Sequence, residues 1–431
     1  MRTGAARRKV ISIECARGFA ALYVLATHIV LVTGVAGLVR GGHYWFQIFG
    51  YGHLAVLLFF FLSGFSIHYS NFGRPRTSEP DWWDYFYLRF RRIYPIFLVA
   101  MGLTFLLLFL SSGLHLALAE PLAAQMQPLR LAATFFFLTD YSWGGQLFNV
   151  LPSNAPVWSL AYEVPYYLLY PLFWQGARRL GIERTFFITL VVSLVSGGVA
   201  IGGLPNHLSN VLSLYWLWTA GAVLAEWNAR GNKRCLSANW FFASVFLIFA
   251  VSQMVDKDAP RMVVDWLYGL LIGGLLLGGQ CCVTATPVRS RAWGGGLLAC
   301  LVVGLLGLGL YLPISGSRIL LAIKLLAGAI LAGVFLMGGG DLRAAGTAIL
   351  NPFYRAGAWS YALYIIHFPI LVFASALLRS LHFSELLVLA TVPLIVWLAR
   401  WLELKWQPKV VLWLNSRLRS WRNQALATLL F

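Results

Sequence analysis

Apolar residues run along this chain in long blocks, separated by short stretches of arginine, lysine, proline and glycine. Each block is about 18 to 24 residues long, enough for a helix to cross a hydrocarbon layer of about 30 Å. A surface helix of a soluble fold would instead show one apolar stripe and a polar back. The blocks predict twelve membrane-spanning helices at about 12–34, 47–70, 89–112, 157–176, 185–203, 209–228, 238–255, 262–282, 296–313, 319–338, 357–379 and 384–406, with ends placed to about four residues. Residues 131–138, inside the long loop 113–156, are apolar but too short to cross, and read as a re-entrant or interfacial element. The expected fold is all-α: a polytopic transmembrane helical bundle of about ten to twelve spans. It forms a single membrane domain over 1–431, with tails at 1–11 and 407–431 and no appended soluble domain.

The basic residues orient this bundle. Of the 33 lysines and arginines, 24 fall in the amino-terminal segment, in alternate loops and in the carboxyl tail. Arg40, Arg130, Lys257, Arg261, Arg318 and Arg379 fall in the opposite loops, and Arg17, Lys324 and Arg400 inside spans. The positive-inside rule then places both termini in the cytoplasm. The first apolar run is too long for a signal-peptide core, so the basic start reads as retained.

Composition agrees: 59% of residues are hydrophobic, 11% charged, and mean hydropathy is +0.73. Soluble domains carry about a quarter charged residues. The net charge of +18 punctuates the spans instead of forming a patch, which argues against a nucleic-acid partner. Five cysteines lie in or beside apolar segments without the spaced Cys/His ligands of a zinc site, so no metal is expected.

An ionisable group inside a span costs about 2.5 kcal/mol or more, so each needs a partner, a wet cavity or a task. In the first span Arg17 and His28 are eleven residues apart, a rotation of about 1100° that returns them to within about 20° of one face. With Glu14 they form a stripe. Arg17 is placed to pair with Glu14 at i−3, whereas His28 lies about 16 Å further along the axis, so the two serve different parts of one elongated site. In the second span Ser63 and Gly64 interrupt an aromatic run; close helix packing explains them, and a nucleophilic role for Ser63 is the sharper alternative. His53 and His68 read as boundary residues.

Arg89 and Arg92, three apart at the start of the third span, suit phosphate binding or ordinary anchoring. The fourth span opens with Trp158, Ser159 and Glu163, the carboxylate at a depth close to that of His28, where it could orient an imidazole; Pro165 suggests a local break. In the eleventh span Ser360, Tyr364 and His367 share one face and read as lining the same cavity. Glu403, near Lys405, reads as structural.

In this order the residues resemble acyltransferase family 3, the integral membrane enzymes that O-acylate lipopolysaccharide, exopolysaccharide and related glycans. The resemblance covers almost the whole chain. Arg17 and His28 match its Arg, ten residues, His pattern; Leu62 to Phe65 its aromatic Leu-Ser-Gly-Phe run; Arg89 and Arg92 its Arg-x-x-Arg motif. Trp158 to Glu163 match Trp-Ser-Leu-x-x-Glu, and Ser360 to His367 match Ser-Tyr-x-Leu-Tyr-x-x-His. Two departures stand out: Glu14 occupies a position usually held by Asp, and members carry fewer core spans than the twelve read here.

The resemblance implies that His28 is the essential catalytic histidine with Arg17 as companion, and that Arg89 and Arg92 contribute to acyl-CoA binding. It also implies acyl-CoA, acetyl-CoA by default, as cosubstrate with no bound cofactor, and a carbohydrate or glycolipid acceptor met in the lipid membrane. His28 would act as general base with Glu163 stabilising the imidazolium, or would carry the acyl group transiently. A lipid-linked sugar transporter or flippase without acyl transfer is the alternative that twelve spans with intramembrane charges also fit.

Overall fold

A computed structural model describes residues 11–33, 51–72, 80–140, 148–202, 204–229, 261–283 and 351–417. The expected spans 238–255, 296–313 and 319–338 lie outside the described residues. The described chain is a helical bundle: α1 (Ile11–Val32), α2 (Gly52–Phe72), α3 (Trp82–Gly113), α4 (Leu160–Leu180), α5 (Ile182–Ile201), α6 (His207–Ser213), α7 (Tyr215–Ala229), α8 (Arg261–Val283), α9 (Ser360–Ser380) and α10 (Val392–Trp401). Seven helical segments among the described residues are long and apolar enough to cross a membrane. This is a multi-pass membrane protein.

Where helix bounds differ from the apolar blocks, polar chemistry at the ends is responsible. Asp81 caps α3 by accepting from the backbone N–H groups of Trp83 at 3.0 Å and Asp84 at 3.2 Å, so the helix starts at Trp82, seven residues before the predicted span. Arg89 and Arg92 therefore lie about two to three turns inside a 32-residue helix instead of at its mouth. The fourth span is entered through a 3₁₀ segment, Pro152–Ser159. The break expected at Pro165 is absent, since α4 continues through Pro165 and Pro171. Pro165 stands close to the helix start, where little of the hydrogen-bond ladder is lost. The irregular backbone lies earlier, at Asn154 (φ −146°, ψ 60°).

The span predicted at 209–228 is two helices, α6 and α7, with Asn206 and Ser209 forming a reciprocal capping box at the start of α6. The last span is a 3₁₀ turn (Glu385–Thr391), α10 and a π turn (Leu402–Trp406), and it stays helical to residue 417, into the predicted tail.

The apolar stretch 131–138 is mostly a short helix, Pro128–Phe135, with Leu129 and Phe136 exposed. At about 12 Å it does not span. Arg130 organises this loop: it is buried, pairs with Glu120, and donates to the backbone carbonyls of Asn149 (3.1 Å) and Val150. Thr139–Asp140 and Phe148–Asn149 form a two-residue parallel bridge beside it.

Two close helix contacts fix the bundle. Gly64 on α2 faces the carbonyl oxygen of Trp218 on α7, and Gly221 on α7 faces that of Phe61; a Cβ would lie 1.8 Å and 1.9 Å from these oxygens. Small residues let the two backbones meet, the usual device of helices in lipid. On the other side, Gly18 of α1 abuts the carbonyl of Phe353, and Gly357 abuts that of Glu14. α9, which begins just after Gly357, runs parallel to α1, since Ser375 and Arg379 further along it donate to the Val32 carbonyl at 2.9 Å and 2.8 Å.

Gly64→Ala and Gly221→Ala are each expected to destabilise the fold by about 1–3 kcal/mol or more through overpacking. Gly102→Ala, where a Cβ meets nothing within 4 Å, is expected to be neutral or stabilising. Thermal unfolding in detergent of the three variants against wild type checks both.

Candidate functional site

A cavity of about 50 Å³ opens between α1, α2, α3, the 3₁₀ segment with α4, and α9. Arg17 reaches it from α1 and Arg92 from α3, while Ser63, Ser159, Glu163, Tyr167 and Ser360 supply oxygen atoms to its wall. Val56, Phe59, Phe60 and Tyr364 make the remainder largely aromatic. Helix direction orders these residues. α1, α3 and α9 run one way and α2 and α4 the other, so the arginines, Ser63, Glu163 and Ser360 share one level. Val56, Phe59 and Tyr364 lie deeper, toward the carboxyl end of α1.

The carboxylate of Glu163 is held by neighbours. Ser63 Oγ donates to Glu163 Oε1 at 2.8 Å, the Tyr167 hydroxyl, one turn on from Glu163, donates to the same oxygen, and Ser63 and Tyr167 stand 3.2 Å apart. Gly64 therefore carries the helix packing that the Ser63–Gly64 pair suggested, while Ser63 faces the cavity. Arg17 lies 3.7 Å from Glu14, its i−3 partner. Arg92 has Glu403, Glu163 and Glu14 as neighbouring carboxylates. Three acids thus surround two guanidinium groups, and this mutual compensation lets charge persist inside an apolar bundle.

Glu403 has a task beyond charge. From the π turn its Oε2 accepts the backbone N–H of Ala362 at 2.9 Å, one of the unpaired donors in the first turn of α9. The same turn places Gln407 to donate to the carbonyls of Arg91 and Arg92. Arg89 lies outside the cavity wall, its guanidinium 5.7 Å from the ring centroid of Tyr85.

His28 sits apart from the arginines, as its axial distance from Arg17 required. Its Nδ1 is 2.8 Å from Nε2 of His367, and the rings lie 4.9 Å apart. Glu163 was expected to face this imidazole; His367 occupies that place, because the 3₁₀ segment starts α4 deep in the bundle and drops Glu163 to the level of Arg17. The tautomers follow from the partners. His367 Nδ1 is 2.9 Å from the carbonyl of Leu363, which only accepts, so Nδ1 carries the proton and Nε2 is bare. His28 must then donate through Nδ1, leaving its Nε2 lone pair for a proton or an electrophile. Tyr364 separates this pair from the cavity: it lines the cavity, donates to the Pro156 carbonyl at 3.0 Å, and has its ring 6.3 Å from that of His367.

Several residues here were not singled out from sequence. Tyr167 and Tyr361 line the cavity, and Phe59 closes it beside Tyr364 at 5.8 Å between rings. His53 and His68, read as boundary residues, stand near the two ends of α2, and each is held by an acid. His53 stacks on Trp158 with its Nε2 2.6 Å from Asp265, and His68 is buried 2.9 Å from Glu226. Asp265 and Glu226 are ionisable groups within apolar spans, so the criterion that flagged Glu163 would have found them.

Residues 10–402 match the family described as Acyltransferase domain. Acyltransferase MdmB of Streptomyces mycarofaciens is 24% identical over 370 residues, 84% of this chain and 79% of that protein. A 2-nitroimidazole transporter of Escherichia coli strain K12 is 29% identical over 148 residues, only 34% of this chain and 31% of the transporter. No solved structure matches significantly. With the match running from the first helix to the π turn, and with every motif residue within it, the chain belongs to acyltransferase family 3, and is a membrane acyltransferase.

Proposed function

We propose that this acyltransferase takes an acyl group, acetyl by the habit of its family, from cytoplasmic acyl-CoA and transfers it to a hydroxyl of a cell-surface glycan or lipid-linked sugar in the bacterial inner membrane. The observation that carries this reading is the arrangement of Arg17 and Arg92 on one cavity, one side chain away from a His28 whose Nε2 bears a lone pair. The guanidinium groups of Arg17 and Arg92 suit the phosphates of coenzyme A, and Arg89 one turn earlier on α3 extends that cationic approach. The hydroxyl-rich wall suits the amides of the pantetheine arm and the thioester oxygen.

His28 acts as general base on the acceptor hydroxyl: its Nε2 takes the proton as the hydroxyl oxygen attacks the thioester carbon, and the coenzyme A sulfur leaves. Attack by His28 Nε2 itself, giving a transient acyl-imidazole, is the other course the lone pair permits. In either case His367 holds the tautomer, the part a carboxylate plays in many acid–base sites. Glu163 balances Arg17 and Arg92 at the donor end. A second reading, movement of a lipid-linked sugar without acyl transfer, draws on the partial likeness to a transporter; turnover of acyl-CoA separates the two.

Membranes containing the wild type are expected to transfer labelled acetyl from acetyl-CoA to envelope carbohydrate, and His28→Ala at equal abundance is expected to lose that transfer. Equal labelling by the two would remove His28 from the chemistry. In purified protein, His367→Gln is expected to lower kcat by about 10²–10⁴-fold with little change in KM for acyl-CoA. Arg92→Ala should do the reverse, raising that KM about tenfold or more. Steady-state kinetics of thioester consumption reads both.

A further inference from the structure

A proline inside a helix has no N–H to give to the carbonyl four residues back, and its ring crowds that oxygen. In α3, α4 and α9 such a proline lies well inside the helix, and each freed carbonyl is met by a side chain from a distant part of the chain. Pro95 of α3 frees the Arg91 carbonyl, which accepts from Gln407 at 3.3 Å, an amide shared with the Arg92 carbonyl at 2.8 Å. Pro171 of α4 frees the Tyr167 carbonyl, which accepts from the Tyr85 hydroxyl at 3.2 Å. Pro369 of α9 frees the Ile365 carbonyl, which accepts from Asn154 Nδ2 at 3.1 Å. Borrowed donors of this kind keep buried backbone satisfied, as helices in lipid require.

The third case differs in what it encloses. His367 stands midway between Ile365 and Pro369, on the turn of α9 that has lost a backbone bond. Asn154 is fully buried and its amide nitrogen is committed: one N–H meets the Ile365 carbonyl, the other the Thr104 hydroxyl oxygen at 3.0 Å. Thr104 gives its own proton to the Ala100 carbonyl at 2.7 Å, so its oxygen accepts from Asn154. Two acceptors thus fix which way the amide faces, while its Oδ1 has no hydrogen-bond partner among the described residues. The side chain is there for its donors. Beside it, the Tyr364 hydroxyl adds a bond in the other direction, from α9 to the Pro156 carbonyl at 3.0 Å.

We infer that Asn154 is a positioning residue for His367: by standing in for the N–H that Pro369 lacks, it fixes the turn of α9 that presents His367 Nε2 to His28 Nδ1 at 2.8 Å. It acts through the backbone and takes no part in proton transfer. Its consequence for turnover rests on the reading of His28 as the centre of acyl transfer; the interlock with Pro369 stands without that reading. A contact between two ring nitrogens tolerates little displacement, and a misplacement of about 1 Å at a reacting centre costs about 10²-fold in rate.

The test is a double-mutant cycle in purified full-length protein in nanodiscs. Asn154→Leu removes both donors at similar volume, and Pro369→Ala returns an N–H to the Ile365 carbonyl. With acetyl-CoA and envelope glycan, Asn154→Leu alone is expected to lower kcat by about 10–100-fold, with KM for acetyl-CoA changed by less than about twofold. In a Pro369→Ala background the same substitution is expected to cost about threefold or less, because the backbone then supplies the missing donor. Asn154→Ser, too short to reach both acceptors, replaces the leucine variant if that one does not fold. Equal losses in the two backgrounds, a loss confined to KM, or no loss in a folded variant would each overturn the inference. Nitrogen NMR spectra of protein labelled at histidine give a readout independent of turnover, with the two signals assigned from His28→Gln and His367→Gln. Asn154→Leu is expected to shift both signals, and adding Pro369→Ala to move them back toward the wild-type positions. Signals that stay in place would overturn the positioning role. Wild-type protein that consumes no acetyl-CoA would overturn the acetyl-transfer reading, and the spectra would still decide the role of Asn154.

Discussion

Charge held in a place without water is the constraint on which the rest of this structure depends. Two guanidinium groups, Arg17 and Arg92, enter the bundle from different helices, and neither is tolerable alone. Their company is supplied by Glu14 on the same helix as Arg17, by Glu163 from α4 and by Glu403 from the π turn. Each acid is in turn fixed by something local. Ser63 and Tyr167 hold Glu163, and the amino end of α9 holds Glu403. The cluster therefore joins six segments of the chain, α1, α2, α3, α4, the amino end of α9 and the π turn, and the cavity is the space left between them.

The second polar centre is built on a different principle. His28 and His367 face each other through ring nitrogens as neutral tautomers, and each ring is also bonded to the backbone of its own helix, His28 at Val24 and His367 at Leu363. No countercharge is needed, so the pair is at home deeper in the apolar interior, with Phe368 packed edge-on to the His28 ring at 4.9 Å. The carboxylates around the guanidinium groups, together with the width of Tyr364 between the two centres, lessen the repulsion of a proton arriving at His28. In the proposed reaction that is the atom where a positive charge would form.

Much of this was legible in the residue pattern, because membrane helices announce themselves by length and because charges inside them are conspicuous. Arg17 and His28 could be placed on one face with about 16 Å between them, as parts of one elongated site, from helix geometry alone; in the structure Arg17 lines the cavity and His28 stands beyond it, against His367. Depth was less legible. Glu163 looked level with His28 because its span was taken as a regular helix from 157; the 3₁₀ segment and the kink at Asn154 are set by side-chain contacts such as the bonds from Asn154 to Thr104 and to the Ile365 carbonyl, which no periodicity encodes. The role of Glu403 was hidden for a similar reason, since a π turn shifts the facing of every residue after it. Phe59, Tyr167 and Tyr361 were invisible as site residues among so many aromatics.

The parallel course of α1 and α9 carries a mechanical consequence. The segment leading into α9 is seated backbone against backbone on α1 at Gly18 and Gly357, and α9 itself is joined to α1 where Ser375 and Arg379 reach the Val32 carbonyl. His28 and His367 lie between these two clamps. Sliding one helix past the other would have to break both at once, so the imidazole pair is insulated from rearrangements elsewhere in the bundle. Substrates of varied shape could press on α2, α3 or α4 while the alignment of the two rings stays as it was.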